Sequence, residues 1–172
     1  MTNIIFIGYR GTGKTSIAGQ LGAYLQRPVF DSDPEIECLA GKSIAEIFAQ
    51  DGEAAFRDQE ETVIAEILRR QAHFVLATGG GAVLRSATRQ RLRDAGRVFW
   101  LTAAPETILQ RIISDASSRT TRPNLTSLPP LDEIKAMLEK RETLYAETAH
   151  ETIATDILPM QEIVKLIIAK ME

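Results

Sequence analysis

A complete phosphate-binding loop near the start of the chain constrains its fold more than any other feature. The loop reads GYRGTGKT from Gly8 to Thr15 and matches the pattern G-x-x-x-x-G-K-[ST]. It follows the apolar run of residues 3–7 and precedes a helix-forming stretch. Gly11 and Gly13 permit unusual dihedral angles and a close approach of backbone N–H groups to an anion. The sequence therefore predicts a nucleoside triphosphate site on a strand, loop and helix unit.

Two side chains of this loop carry the expected chemistry. Lys14 places a positive charge near the transferable phosphate, and Thr15 offers a hydroxyl oxygen to Mg²⁺. The helix that begins here adds its partial positive charge to the same anion. The loop leaves open what is phosphorylated.

Composition predicts one domain that spans residues 1–172, because 172 residues with 44% apolar content fill one ordinary core. The net charge of −3, without a basic tail, argues against nucleic acid as a partner. The sequence has no signal-peptide pattern and no run approaching about 18 apolar residues, so we expect no membrane association and a cytoplasmic location. No apolar stripe demands a partner, which favours a monomer.

Apolar runs alternate with amphipathic segments along the chain, which predicts an α/β fold with a parallel sheet. Strands are predicted over residues 3–8, 74–77, 97–101 and 152–155, and in the run that leads into Asp31. Helices are predicted over residues 14–26, 52–70, 86–95, 105–113 and 131–149, and from Pro34, Ser43 and Pro159. We expect Gly96 to be a left-handed helix stop and Cys38 to be a packed residue without a catalytic role. The polar segment 114–130 is predicted to be a surface lid.

A pair of aspartates, Asp31 and Asp33, flanks Ser32 at the end of the second predicted strand. Residues two apart on an extended segment point the same way, so both carboxylates can face one cleft. One interpretation gives one carboxylate a water-mediated Mg²⁺ contact and the other a hydrogen bond to a substrate hydroxyl. A helix N-cap for the segment opened by Pro34 explains the residues equally well.

Three consecutive glycines, Gly79, Gly80 and Gly81, follow a buried strand. They permit close contact between the backbone and a ligand, although a tight strand-to-helix turn is the alternative. A third cluster consists of arginines, whose forked donors match carboxylate and phosphate groups: Arg57, Arg119, Arg122 and Arg141. Any one of these can simply be solvated. Arg122 stands out because a lid could carry it onto the phosphate oxygens.

The chain resembles shikimate kinase over essentially its whole length. The resemblance rests on GYRGTGKT followed by Ser16, DSD at 31–33, GKSIAEIFAQDGEAAFRDQE at 41–60, GGGAV at 79–83, RPNL from Arg122, and KRETLY at 140–145. It implies a P-loop kinase similar to nucleoside monophosphate kinases, with a five-stranded parallel sheet flanked by helices on both faces. It also implies a substrate-binding region over residues 32–60 and a lid over 114–130. The implied reaction of chorismate and aromatic amino-acid biosynthesis transfers the ATP γ-phosphate to the shikimate 3-hydroxyl, with Mg²⁺ as cofactor.

The resemblance also implies a role for each matching residue. Thr15 would bind Mg²⁺ directly and Asp31 through water, while Asp33 would bind the shikimate hydroxyls and orient the attacking one. The catalytic set would be Lys14, Asp33 and Arg122. The nucleotide would be bound by Gly11, Thr12, Gly13, Lys14, Thr15, Ser16, Arg111 and Arg122. Shikimate would be bound by Asp33, Arg57, Gly79, Gly80, Gly81 and Arg141.

The lid departs from the family pattern, because Asn124 interrupts the Arg-Pro-Leu-Leu run, and Arg119 is an alternative to Arg122. No basic residue follows the last strand, which leaves backbone and Pro159 to pack against adenine. A kinase for another small hydroxy acid such as gluconate is the enzymatic alternative, and a nucleotide-binding regulatory module is the non-catalytic one. Asp33, Arg57, Gly80 and Arg141 favour shikimate over gluconate.

Overall fold

Five parallel strands form one sheet in the order β2-β3-β1-β4-β5 in the computed structural model, which describes residues 2–70, 73–115 and 128–171. The strands are β1 (Asn3–Ile7), β2 (Val29–Asp31), β3 (Val75–Ala77), β4 (Gly96–Thr102) and β5 (Glu151–Ala154). The α/β class and the five-stranded parallel sheet predicted from the sequence are confirmed.

Eight α-helices lie within the described residues, together with a 3₁₀ turn at Ala82–Leu84. They are α1 (Lys14–Leu25), α2 (Ser32–Ala40), α3 (Ile44–Gln50), α4 (Gly52–Leu68), α5 (Ser86–Ala95), α6 (Pro105–Ser114), α7 (Pro130–Thr148) and α8 (Met160–Ala169). In these parts of the chain, no helix has the length and apolar character needed to cross a bilayer.

The central strand β1 is buried on both faces, which explains its unbroken apolar run. Ile5 and Ile7 pack into the core formed with α2, α3, α4, α5 and α7. Ile4 and Phe6 point to the other face and pack against α1 and α8. Helices thus cover both faces, and polar groups are gathered where the strands end.

The carboxyl ends of the parallel strands form one edge of the sheet, the usual place for a ligand in such a fold. The phosphate-binding loop follows β1 there, Asp31 ends β2, and the glycine run at 79–81 follows β3. Thr155 follows β5 at the same edge. Segments distant in sequence therefore meet around the loop.

Two sequence predictions about single residues are wrong. Gly96 has φ −178° and is the extended first residue of β4, not a left-handed stop. A side chain there would meet the backbone of Asn3, with Cβ 2.5 Å from its carbonyl oxygen, so close strand pairing requires this glycine. Cys38 is exposed on α2 and not packed.

Candidate active site

The loop between β1 and α1 has the backbone conformation that its glycines predicted. Gly8 adopts φ +140°, and a Cβ there would collide with the carbonyl oxygen of Leu101 in β4. Gly13 adopts φ +89° and is the N-cap residue of α1. Because the first turn of a helix lacks internal partners for its N–H groups, this turn presents donors to an anion. The loop therefore has the form of a phosphate cradle.

Lys14 lies inside this loop, with only 8% of its surface exposed. Its ammonium group donates hydrogen bonds to the carbonyl oxygens of Gly8 at 2.8 Å and Tyr9 at 2.7 Å. These charge-assisted bonds offset part of the cost of burying the lysine. They also fix the charge at the centre of the loop, where a bound phosphate would lie.

Asp31 joins the phosphate-binding loop to the start of α2. Its Oδ2 accepts a 2.6 Å hydrogen bond from the Thr15 hydroxyl, and its Oδ1 accepts one from the Asp33 backbone N–H at 3.1 Å. Asp31 is therefore the N-cap of α2, as one interpretation of DSD predicted, and it also faces the proposed Mg²⁺ ligand. Helix capping and the proposed magnesium contact are therefore compatible roles for Asp31.

Asp33 lies in the first turn of α2, so the prediction of an extended DSD segment is wrong. An N-capping carboxylate at the end of β2 starts the helix earlier than Pro34. Both aspartates nevertheless line the same cavity, because Asp31 ends β2 and Asp33 lies in the first turn of the helix that follows directly.

Burial raises the pKa of the Asp31 carboxyl above its ordinary value of 3.8, and the Thr15 hydrogen bond opposes part of this effect. Below pH 3.8 the carboxyl is protonated in both folded and unfolded chains. Above the folded-state pKa, folding must bury a charge and costs stability. The ionised Asp31 carboxylate therefore lowers the free energy of unfolding.

We therefore expect Asp31→Asn to raise the free energy of unfolding at about pH 7, with the advantage shrinking as the pH falls toward about 4. The amide oxygen can still cap α2, so the change chiefly removes the buried charge. Urea unfolding across this pH range measures the effect. Asp94→Asn, on the exposed face of α5, is the matched control and should be neutral. A less stable Asp31→Asn protein at pH 7 would contradict the burial cost.

The oxygen donors at Thr15 and Asp31 fit Mg²⁺ bound together with a nucleotide. Mg²⁺ generally takes one or two protein oxygens and completes its shell with water and phosphate oxygens. No group of three or more His, Cys, Asp or Glu side chains in the described parts of the chain could hold a metal ion alone. The donor set suits an ion that arrives with ATP.

A cavity of about 490 Å³ opens over the phosphate-binding loop. It is lined by residues 10–17, Asp31, Asp33, residues 78–80, Arg111, Ser114, Asp115, Thr155, Leu158, Met160 and Ile163. The predicted nucleotide residues other than Arg122, which lies outside the described residues, therefore share one space with Asp33. Pro159, considered for adenine packing, is not in the lining, whereas its neighbours Leu158 and Met160 supply apolar surface.

The glycine run contacts two arginines that are distant from each other in the sequence. Arg141, on α7, donates to the Gly80 carbonyl oxygen at 3.2 Å. The guanidinium of Arg57, on α4, lies against Gly81, where a Cβ would overlap it. Both arginines are buried, although neither lines the cavity itself. Gly81 is therefore small because a protein side chain occupies the space beside it.

Arg57 is held by two carboxylates on its own helix. It donates to Glu60 at 2.5 Å and to Glu53 at 3.2 Å, one turn to either side. Among the described residues, the second bond of Arg141 goes to the Met137 sulfur, at 3.7 Å. A guanidinium has five N–H donors, so Arg141 retains capacity for an anion.

Arg111 braces the opposite end of the phosphate-binding loop. It donates to the Gly11 carbonyl oxygen at 3.2 Å and to the Thr155 carbonyl oxygen at 2.8 Å. Thr155 is buried, and its hydroxyl donates to the carbonyl oxygen of Thr12 at 3.0 Å. Arg111 thus lines the cavity and fixes the loop to the residue that follows β5, while its contact with a nucleotide stays a prediction.

The shikimate kinase family model matches residues 10–172 of the chain. The chain belongs to the shikimate kinase family. The shikimate kinase of Rhodopirellula baltica is 42% identical over 161 residues, covering 94% of this chain and 86% of that protein. The shikimate kinase of Symbiobacterium thermophilum is 40% identical over 170 residues, covering 99% and 96%.

Solved structures agree with the family assignment. A shikimate kinase from Acinetobacter baumannii in complex with shikimate superposes with a TM-score of 0.92 at 36% identity, covering 99% of this chain and 93% of that one. A gluconokinase from Sinorhizobium meliloti gives a TM-score of 0.59 at 15% identity, which indicates a shared fold alone.

The sequence did not predict a place at the site for two residues, Thr155 and Tyr145. Thr155 belongs to no motif, and Tyr145 is the last residue of the KRETLY run but was given no role, yet its hydroxyl donates to the Gly80 carbonyl oxygen at 2.5 Å. A polar residue at the carboxyl end of a predicted strand was the available signal for Thr155. Tyr145 lies one helical turn after Arg141, which was the signal for its position.

The lid arginines, Arg119 and Arg122, lie outside the described residues, as does most of segment 114–130. The choice between them therefore stays a prediction. The described flanks of this segment are Ser114 and Asp115, which line the cavity, and the start of α7 at Pro130.

Proposed function

We propose that this chain transfers the γ-phosphoryl group of ATP to the 3-hydroxyl of shikimate, with Mg²⁺, in the biosynthesis of aromatic compounds. The observation that carries this proposal is that Lys14 and Asp33 line one cavity. A phosphate-binding cation and a carboxylate suited to a hydroxyl group thereby share one space. Membership of the shikimate kinase family supplies the kinase activity and the acceptor. We also propose that the protein is a cytoplasmic monomer.

The phosphate-binding loop holds the nucleotide half of this reaction. Backbone N–H groups from Gly11 to Ser16 and the Lys14 ammonium bind the phosphates, and Arg111 fixes the loop to β5. Thr15 and Asp31 would hold Mg²⁺, which when bound neutralises charge on the β- and γ-phosphate oxygens. The protein's task is positioning and charge stabilisation.

Asp33 positions the acceptor hydroxyl. It accepts a hydrogen bond from the 3-hydroxyl and orients that oxygen toward the γ-phosphorus. A new O–P bond forms as the bond from the γ-phosphorus to the bridging oxygen breaks, and ADP leaves with that electron pair. The hydroxyl proton passes to Asp33 or to water.

The glycine turn and its arginines bind the other end of the acceptor. Arg57 and Arg141 contact Gly81 and Gly80, and both are buried. Their forked donors match the single carboxylate of shikimate, while Gly79 and Gly80 are at the cavity wall near its hydroxyls. The acceptor is thereby held between cations and the phosphates.

We expect Gly81→Ala to raise KM for shikimate about 10- to 100-fold and to leave KM for ATP unchanged. The added methyl group displaces the Arg57 guanidinium, and one hydrogen bond to a charged group contributes about 1.5–3 kcal/mol. Initial-rate kinetics with each substrate varied in turn measure the two KM values separately. Gly19→Ala is the control, because a methyl group there meets open space on α1. Equal shifts in both KM values would contradict a role confined to the acceptor.

The proposed substrate is tested by ADP release with ATP and Mg²⁺ and either shikimate or gluconate. We expect turnover with shikimate and only the background rate with gluconate. Turnover with gluconate and none with shikimate would refute the acceptor assignment. ATP binding without turnover on either acid would instead favour a regulatory module.

A further inference from the structure

Arg10 is a cation of the phosphate-binding loop to which the reaction described above gives no role. It lines the same cavity as Lys14 and Asp33. Its Nε is buried and has no hydrogen-bond partner in residues 2–70, 73–115 and 128–171. A buried N–H group without a partner is uncommon in folded proteins, whereas the Arg10 side chain as a whole is 24% exposed, which leaves the outer part of the guanidinium accessible to an acceptor.

The side chain of Arg10 is held toward α7 by an ion pair. Its Nη2 lies 3.6 Å from Oε1 of Glu133, whose side chain is only 2% exposed. At that distance the contact attracts the guanidinium without occupying a donor in a hydrogen bond. A buried carboxylate facing an arginine in this way fixes where the guanidinium lies and leaves its donors for another acceptor.

The Tyr9 ring lies near both Arg10 and Arg141, the second of which is proposed to bind the acceptor. The Cζ atoms of Arg10 and Arg141 each lie 6.0 Å from the centroid of the Tyr9 ring. Arg10 lines the cavity with the phosphate-binding loop, whereas Arg141 contacts the glycine turn. Arg10 is therefore the residue of this pair that lines the cavity over the phosphate-binding loop.

We propose that Arg10 is a further substrate-contacting residue, which donates hydrogen bonds to the phosphoryl group in transit from ATP to the acceptor. The proposal rests on the proposed function. The transferring group spreads negative charge over three oxygens, and a planar guanidinium can bind two of them, whereas Lys14 acts as a point charge. Arg10 lines the cavity together with Lys14 and Thr15, whereas Arg57 and Arg141 do not line it, and this favours the phosphoryl group over the acceptor carboxylate.

The test compares Arg10→Gln with the wild-type enzyme by initial-rate kinetics and by calorimetric binding of shikimate and of ATP. We expect kcat to fall at least about tenfold while both dissociation constants change less than about twofold, because the contact forms with the group in transit. Arg10→Lys should recover part of kcat. Arg27→Gln is the matched control and should behave as wild type, because Arg27 bonds to the Thr2 backbone and is not among the residues that line the cavity.

Glu133→Gln provides a second variant for the same contact. We expect a smaller fall in kcat, and no additional fall when it is combined with Arg10→Gln, because Glu133 acts through Arg10. Unchanged kcat in Arg10→Gln would overturn the proposal. So would a rise in KM for shikimate alone, which would make Arg10 a carboxylate ligand, or a joint loss of both affinities with a lower melting temperature. Absence of shikimate-dependent turnover in the wild-type enzyme would refute the proposed function itself.

Discussion

Lys14→Met should reduce kcat about a thousandfold or more. The Lys14 ammonium is buried and fixed by the carbonyl oxygens of Gly8 and Tyr9. Its charge is therefore already in place before ATP binds, and little rearrangement is needed when negative charge develops on the phosphoryl group. Methionine has a similar length but no charge, so the phosphates lose this stabilisation and the two carbonyl groups lose their donor.

Shikimate-dependent ADP release measures the Lys14 effect. Lys165→Met is the matched control, since Lys165 is exposed on α8 and pairs only with Glu162 among the described residues. Circular dichroism melting separates lost chemistry from lost folding, because the two carbonyl groups without a donor also lower stability. A folded Lys14→Met enzyme with activity within about tenfold of wild type would refute the central role of this lysine.

Asp33→Asn should reduce kcat by about 10²- to 10⁴-fold, the range for loss of a positioned group that assists proton transfer. Asparagine has the same shape, so the first turn of α2 and its cap at Asp31 are retained. The amide can still contact a hydroxyl group but cannot take its proton. We therefore expect binding of ATP to be unchanged, because the phosphate-binding loop is untouched.

Glu35→Gln is the control for Asp33. Glu35 lies in the same first turn of α2 and pairs with Arg70 at the surface. Both substitutions remove one carboxylate from the same helix end, so a comparison cancels the effect on the helix dipole. Comparable losses in the two variants would show that α2, and not Asp33, accounts for the change. An Asp33→Asn enzyme with nearly full kcat would show that the carboxylate binds shikimate without assisting proton transfer.

The parts of the site that depend on local sequence were predictable. The loop from Gly8 to Thr15 has a fixed spacing, and that spacing alone predicted its conformation and its place between a strand and a helix. The alternation of apolar and amphipathic segments predicted the parallel sheet for the same reason. The convergence of Arg57 and Arg141 on one turn came from the family resemblance, since no local rule relates residues so far apart.

The remainder depended on tertiary contacts that a sequence does not display. Gly81 was interpreted as space for a ligand or a turn, yet the Arg57 guanidinium occupies the position beside it. Gly96 was interpreted as a helix stop, yet it is extended because β4 passes close to Asn3. No local pattern indicates a role for Arg10, because only the fold places Glu133 beside it.

The most direct test of the whole account is phosphorus NMR of the reaction mixture containing the purified protein, ATP, Mg²⁺ and shikimate. We predict ADP and one new phosphate ester in equal amounts, with the phosphorus coupled to the proton on carbon 3 of shikimate. Formation of no ester, or of an ester at another hydroxyl group, would contradict an acceptor held by its carboxylate with the 3-hydroxyl against Asp33.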